Sequence, residues 1–172
     1  MHATHATRRP GTVVAIVICL TACAHRRTPQ PALSQALTLT TSVDSLAVVA
    51  GTQFTAAFDL RNIASVPVEF CHVDGGVSAW LKDMNDRVRP LVLYSLVLDA
   101  HCYQRTILKP GEAKQYINKG VVWSDLAGPI DLLAAIRLST PRDVPSNDSQ
   151  TINLRAAPLR LHVVPSAQQE RK

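Results

Sequence analysis

The feature that most constrains this chain is a two-residue alternation of apolar and polar side chains. It returns in run after run from Ala36 to Val164. In Thr52–Asn62, Phe54, Ala56, Phe58 and Leu60 share one side, and Gln53, Thr55, Asp59 and Arg61 share the other. Val66, Val68 and Phe70 alternate with Pro67 and Glu69. Ile130, Leu132, Ala134, Ile136 and Leu138 alternate with Asp131, Leu133, Ala135 and Arg137. Leu159, Leu161 and Val163 alternate with Arg160, His162 and Val164. Successive side chains of a strand point to opposite faces, so this is the pattern of strands with one buried face. Turn-forming residues separate the runs at Ala50-Gly51, Asn62 to Ser65, Asp74-Gly75-Gly76, Asn85-Asp86, Pro110-Gly111 and Ala127-Gly128-Pro129.

The pattern predicts strands over 36–42, 46–49, 52–61, 66–72, 77–82, 88–94, 103–108, 112–121, 130–138 and 151–164. Pro158 and a parity change near Ala156-Ala157 predict a bulge in the last of them. No run shows helical period. Many short strands with regular turns predict an all-β fold, a single antiparallel β-sandwich. Phe54, Phe58, Val68, Phe70, Leu132, Ile136, Leu161 and Val163 are expected to face one core. The chain has 172 residues, room for one domain with a sizeable core. At 47% hydrophobic and 18% charged residues it is neither disordered nor polytopic.

The first residues read as an address. Arg8 and Arg9 precede an apolar run, Val13 to Leu20, and the small residues Thr21-Ala22 lead to Cys23. A basic start, a short apolar run and a small-residue exit is the layout of a secretory signal. The run is about half the ~20 residues needed to span a bilayer. Leu20-Thr21-Ala22-Cys23 also resembles the bacterial lipobox. That resemblance implies diacylation of the Cys23 sulfur, cleavage before Cys23 and acylation of the new amino group. Several acyl chains anchor firmly where one binds only marginally. Ala24 follows, and by resemblance to the sorting rule of enteric bacteria the absence of Asp there favours the outer membrane. The expected organisation is a signal peptide over 1–22, lipidated Cys23 and linker over 23–35, the sandwich over 36–165 and a disordered tail over 166–172.

Val49-Ala50-Gly51, the alternating strand ending in Asn62, and Val66-Pro67-Val68 look like the early strands of bacterial Ig-like domains. Leu108-Lys109-Pro110-Gly111-Glu112, Trp123, and Gly128 opening an apolar strand extend the resemblance. The order is similar to the small Ig-like family that includes an intracellular bacterial proteinase inhibitor, over roughly residues 46–138. The resemblance implies an Ig-like β-sandwich. It also implies, as one functional alternative, protease inhibition through an exposed loop, with 95–101 and 139–150 the candidates. Gly128-Pro129-Ile130 departs from the family's Gly-x-Tyr, so no tyrosine corner is expected there.

With Cys19 removed and Cys23 lipidated, Cys71 and Cys102 remain. In an oxidising compartment an even remainder reads as one disulfide, contributing about 3–4 kcal/mol on a chain-entropy estimate. Both have a histidine neighbour, in mirrored order: Cys71-His72 and His101-Cys102. If the two strands pair directly and Cys71 faces Cys102, His72 faces His101 on the other side of the sheet. If the bridge joins two sheets, the histidines diverge. The reading preferred is a structural disulfide with two solvated histidines. The alternatives are weak copper or zinc binding by His72 and His101, and a four-ligand zinc site that would need a broken strand.

No Gly-x-Ser-x-Gly elbow, His-Glu-x-x-His or phosphate loop occurs, so no catalytic residue and no cofactor is expected. Asp83 and Asp86 read as a solvated hairpin tip rather than a calcium site. Trp80 and Trp123 are expected in the core. Loss of Arg8 and Arg9 leaves 16 basic and 13 acidic residues, a scattered excess with 5% aromatics, which argues against a nucleic-acid surface. The expected protein is a membrane-anchored envelope lipoprotein carrying a non-enzymatic protein-binding module. Its partners are the membrane, through the lipid, and an envelope protein the sequence does not identify.

Overall fold

The computed structural model describes residues 29–91, 104–144 and 151–166. The signal segment, Cys23, His101, Cys102, the loop 95–101 and the tail from 167 lie outside the described residues, as does the second half of the loop 139–150. Among the described residues a single helical turn, α1 (Leu33–Ala36), precedes ten strands. These are β1 (Leu37–Val43), β2 (Ala47–Val49), β3 (Gln53–Asn62), β4 (Val68–Asp83), β5 (Val88–Pro90), β6 (Gln104–Leu108), β7 (Ala113–Val121), β8 (Gly128–Ser139), β9 (Ile152–Arg155) and β10 (Leu159–Val164).

The strands form two sheets. The smaller has the order β1-β3-β7. The larger has the order β2-β10-β8-β4-β5, with β6 also on β4 and β9 also on β8. Every pair is antiparallel except β2 with β10. The molecule is therefore an all-β sandwich, as the alternation predicts. The inward residues of both sheets meet in one core: Ala56, Phe58 and Leu60 from the smaller sheet, Phe70, Leu81, Leu132, Ile136, Leu161 and Val163 from the larger. All eight residues expected to share a core do so, Phe54 at its margin and partly exposed. Gly51, Gly111 and Gly128 take φ of +76° to +77° at three of the expected turns, a region that favours glycine.

Three features depart from the sequence reading. Asp74-Gly75-Gly76 is not a turn between two strands. Val68–Asp83 is one strand along β8, with a register shift between His72 and Val77. His72 faces Leu138 and Val77 faces Ile136, so Val73–Gly76 stand opposite Arg137 alone. This bulge moves the inward positions from even (Val68, Phe70, His72) to odd (Val77, Ala79, Leu81). A two-residue alternation that changes parity around two glycines looks the same whether the chain turns or bulges.

The expected bulge in the last strand is present. β9 and β10 both pair with β8, and their registers differ by one residue across Ala156–Pro158. The segment read as linker is shorter than expected, because Gln30–Ala36 is docked. The Gln30 side chain donates to the Glu69 carbonyl (2.9 Å) and accepts from its N–H (2.8 Å), and Leu33 and Ala36 are fully buried. One helical turn is too short to display a period, so the sequence pattern conceals it. Trp80 is the third departure. It falls on the even, outer face of β4 beside Leu133 and Pro90, half-buried and outside the core, whereas Trp123 packs against the core.

β7 approaches the larger sheet's margin closely at Gly120. A Cβ there would lie 2.2 Å from the Leu91 carbonyl oxygen. Gly120→Ala must push Leu91 or β7 aside, and a loss of about 1–3 kcal/mol is expected on the scale of overpacking. Equilibrium urea unfolding measures it, and an unchanged midpoint would contradict the close approach.

Candidate functional site

Two places bring polar chemistry and apolar surface together. The first lies between the sheets. His72, at the last inward position of β4 before the bulge, is 2% exposed. Its Nε2 shares a 3.0 Å hydrogen bond with the Tyr116 hydroxyl on β7, so the contact crosses from one sheet to the other. The rings of Phe70 and Tyr116 stand edge-on to the imidazole, with centroids 5.3 and 5.6 Å away. The His72 Nδ1 is buried and has no hydrogen-bond partner among the described residues. Burial, and then the positive charge of Lys114, push the imidazole down to about 4. Burial raises the Tyr116 phenol above its ordinary value, so it stays protonated. Lys114 caps the group, its Nζ 5.6 Å from the Tyr116 ring centre and 3.4 Å from the Thr106 hydroxyl. At neutral pH the arrangement is an uncharged bridge between the sheets.

This corrects the expectation of a solvated His72. In the fold His72 continues the inward even positions of Val68 and Phe70, and Cys71 lies on the opposite face of β4, itself fully buried. The β4–β6 pairing is described from Gln104 onward. β4 and β6 are antiparallel neighbours, and Cys71 stands opposite Arg105 and His72 opposite Gln104. That is three residues from the register that sets Cys71 against Cys102. His101 and Cys102 themselves lie outside the described residues. The Cys71 sulfur is engaged rather than a free thiol. Among the described residues, no group of three or more His, Cys, Asp or Glu is arranged to hold a metal ion.

The Asp83–Asp86 turn is closed by its own bonds. The Asp83 carboxylate accepts from the N–H groups of Asn85 and Arg87 (both 2.9 Å) and from the Arg87 side chain. Burial opposes its ionisation, and these bonds outweigh that, holding the carboxyl below its usual range. Lys82 pairs with Asp86 at 2.8 Å. Asp86 takes φ +62°, as a tight turn requires.

The second place is a cleft of about 540 Å³ at one end of the sandwich, between the end of β7 and Pro90-Leu91 at the margin of the larger sheet. Gly120, Val121, Trp123, Pro90 and Leu91 line it, with Gln53 at its rim. The Trp123 indole donates to the Pro90 carbonyl at 3.5 Å. The Arg89 guanidinium lies 5.0 Å from the indole centre and pairs with Asp125, which fixes the ring as a wall of the cleft. Sequence reasoning placed Trp123 in the core and did not see the cleft. Its local signal was the Trp itself, followed by Ser124-Asp125 at a strand end.

These features define a two-sheet β-sandwich with a buried inter-sheet bridge and an apolar cleft at one margin. Neither a protein-family model nor a curated protein matches the sequence. Among solved structures, the CARDB domain of a Pyrococcus furiosus protein in complex with di-metal ions is similar at 13% identity and a TM-score of 0.42. The match covers 74% of this chain and 87% of that one. The sporulation control protein Spo0M of Bacillus subtilis is similar at 13% and 0.44, over 76% of this chain and 50% of that one. The ASH/PapD-like domain of human CEP192 is similar at 11% and 0.37, over 91% and 99%. At these scores the likeness bears on neither ligand nor partner.

Proposed function

We propose that the chain is a lipid-anchored envelope protein whose Ig-like sandwich is a non-enzymatic protein-binding module. The observation that carries the binding role is the cleft beside β7, where a tryptophan and a leucine line an open apolar surface at a sheet margin. The address rests on the Leu20–Cys23 box after a short apolar run. Ala24 favours the outer membrane as the site of anchoring. Export also supports a bond between Cys71 and Cys102, the two cysteines left once the signal and lipid positions are assigned. Their bond would tie β4 to the chain just before β6.

One measurement tests address and cross-link together. The intact mass of the protein purified from membranes is expected to show a chain beginning at Cys23, several acyl groups and a deficit of two hydrogens. Cys23→Ser is expected to lose the acyl mass and leave the membrane fraction or remain unprocessed. An unacylated wild type overturns the anchor. Two free thiols on Cys71 and Cys102 overturn the cross-link.

A further inference from the structure

We infer that the Ile117–Val121 half of β7 is a strand-addition site. It takes an extended partner segment that presents an acidic side chain between two apolar ones on one face, and an apolar side chain on the other. This deepens the protein-binding reading and rests on it.

β7 is an edge. In the smaller sheet only β3 pairs with it among the described residues. At its two ends the ladder bonds belong to even positions. The Val122 N–H donates to the Thr52 carbonyl and the Glu112 carbonyl accepts from the Asn62 N–H. Antiparallel pairing alternates, so the N–H and C=O of Ile117, Lys119 and Val121 point away from β3. Edges carry such groups as a template for another strand, and proteins blunt them by shortness, proline, bulges or inward-pointing charge. The other margin strands of the larger sheet have three to five residues, and β5 ends in Pro90. β1, the other margin of the smaller sheet, shows Thr38, Thr40 and Ser42 on its outer face. β7 has nine residues in unbroken register with β3. Its first half is blunted by Lys114, which lies on the inward face beside Tyr116. Its second half has no such device.

The side chains of that half specify what it takes. Ile117 and Val121 are 59% and 54% exposed, on the outer face, with Lys119 between them. Lys119 has no carboxylate partner among the described residues. In an added strand, residues directly opposite share a face and interact. A segment there meets apolar, basic, apolar in sequence, and its complement is apolar, acidic, apolar. The intervening residue opposite Gly120 points to the other side. Leu91 packs directly over Gly120, and the cleft that Leu91 and Trp123 wall opens beside it. Main-chain bonds then supply affinity, and the alternate pockets supply selectivity.

The probe is a fluorescein-labelled peptide, Thr-Val-Leu-Glu-Thr-Val-Thr, titrated with the full chain in detergent and followed by anisotropy. Antiparallel, its glutamate faces Lys119, its valines face Ile117 and Val121, and its leucine enters the cleft. Lys119→Pro removes one outward N–H and no ladder bond to β3, a place where strands accept proline. It is expected to bind about tenfold more weakly, the scale of one or two lost hydrogen bonds. Lys119→Glu, which keeps the backbone intact, is expected to prefer the same peptide with lysine in place of glutamate. Three results overturn the site: equal binding by wild type and Lys119→Pro, no preference between the two peptides, or no binding up to roughly 1 mM. Concentration-dependent dimerisation of the wild type that Lys119→Pro abolishes overturns it too, because the occupant is then a second copy. Recovery of partners from envelope extracts separates this inference from the broader reading. A partner held equally by wild type and Lys119→Pro removes the strand-addition site alone; no partner with the wild type removes the binding-module reading.

Discussion

Asn62→Ala is expected to lower folding stability by about 2–3 kcal/mol, from one buried and two part-buried hydrogen-bonding groups losing their partner. Asn62 is the last residue of β3 and is fully buried. Its side-chain Nδ2 donates to the carbonyls of Val66 and Leu108, both at 2.9 Å, and its Oδ1 accepts from the Ala64 N–H at 2.8 Å. Its main chain donates to the Glu112 carbonyl and accepts from the Gly111 N–H. One residue thus ties the end of β3 to the approach to β4, the end of β6 and the turn into β7. Alanine leaves the buried Leu108 carbonyl unpaired, and the part-buried Val66 carbonyl and Ala64 N–H lose a bond that water replaces only in part. Asn62→Asp is expected to be as damaging, because an ionised carboxylate would face two carbonyl oxygens. Equilibrium urea unfolding at pH 7 measures both variants, and a loss under about 1 kcal/mol would show that the corner is not held by this amide.

The second large effect is on pH. The His72 imidazole titrates at about 4 in the fold against an ordinary value of 6.5. Below 6.5 the unfolded chain takes up a proton that the folded chain resists, so folding is disfavoured progressively as pH falls. The neutral imidazole's contribution is complete above 6.5 and is lost between 6.5 and about 4. Over that window the cost reaches roughly 3 kcal/mol. The groups around the imidazole explain the sign. Phe70 and Tyr116 exclude water, Tyr116 stays an uncharged phenol, and Lys114 adds positive charge, while among the described residues no carboxylate stands beside the ring to hold a proton. Asp83, held below its usual range, adds its own loss of stability at lower pH, below its ordinary value of 3.8. His72→Leu separates the two. Its stability at pH 7 is expected to fall by about 1–2 kcal/mol through the lost Tyr116 bond. Its decline from pH 6.5 to pH 4 should be shallower than that of the wild type. Parallel pH curves for wild type and His72→Leu would remove His72 as the source.

Most of the strand plan was legible because burial on one face imposes a period of two, whatever the partners are. Phe54, Phe58, Val68, Phe70, Leu132, Ile136, Leu161 and Val163 are legible together for that reason. The misreadings lie where parity changes. Around Gly75-Gly76 and around Pro158 the alternation slips in the same way, yet one slip was read as a turn and one as a bulge. Only the shared partner β8 shows that both are bulges. His72 is a different case, since it keeps the parity of Val68 and Phe70 and was misread from its residue type. A histidine next to a cysteine reads as a polar residue facing water, and the neighbouring phenol that makes its burial tolerable sits 44 positions away on another sheet.

Sequence alone determined the all-β class, the single core and most strand positions, since these follow from local alternation and from glycines at turns. It also marked Leu20–Cys23 as an address, because an apolar run and a cysteine are local features. Tertiary structure alone decided that Asn62 is a junction rather than a turn residue, and that His72 bridges two sheets. It also decided that Trp123 walls a cleft and that β7 is left at a margin. Each depends on contacts between strands far apart in the chain, and strand order is a property of pairing that no local period encodes.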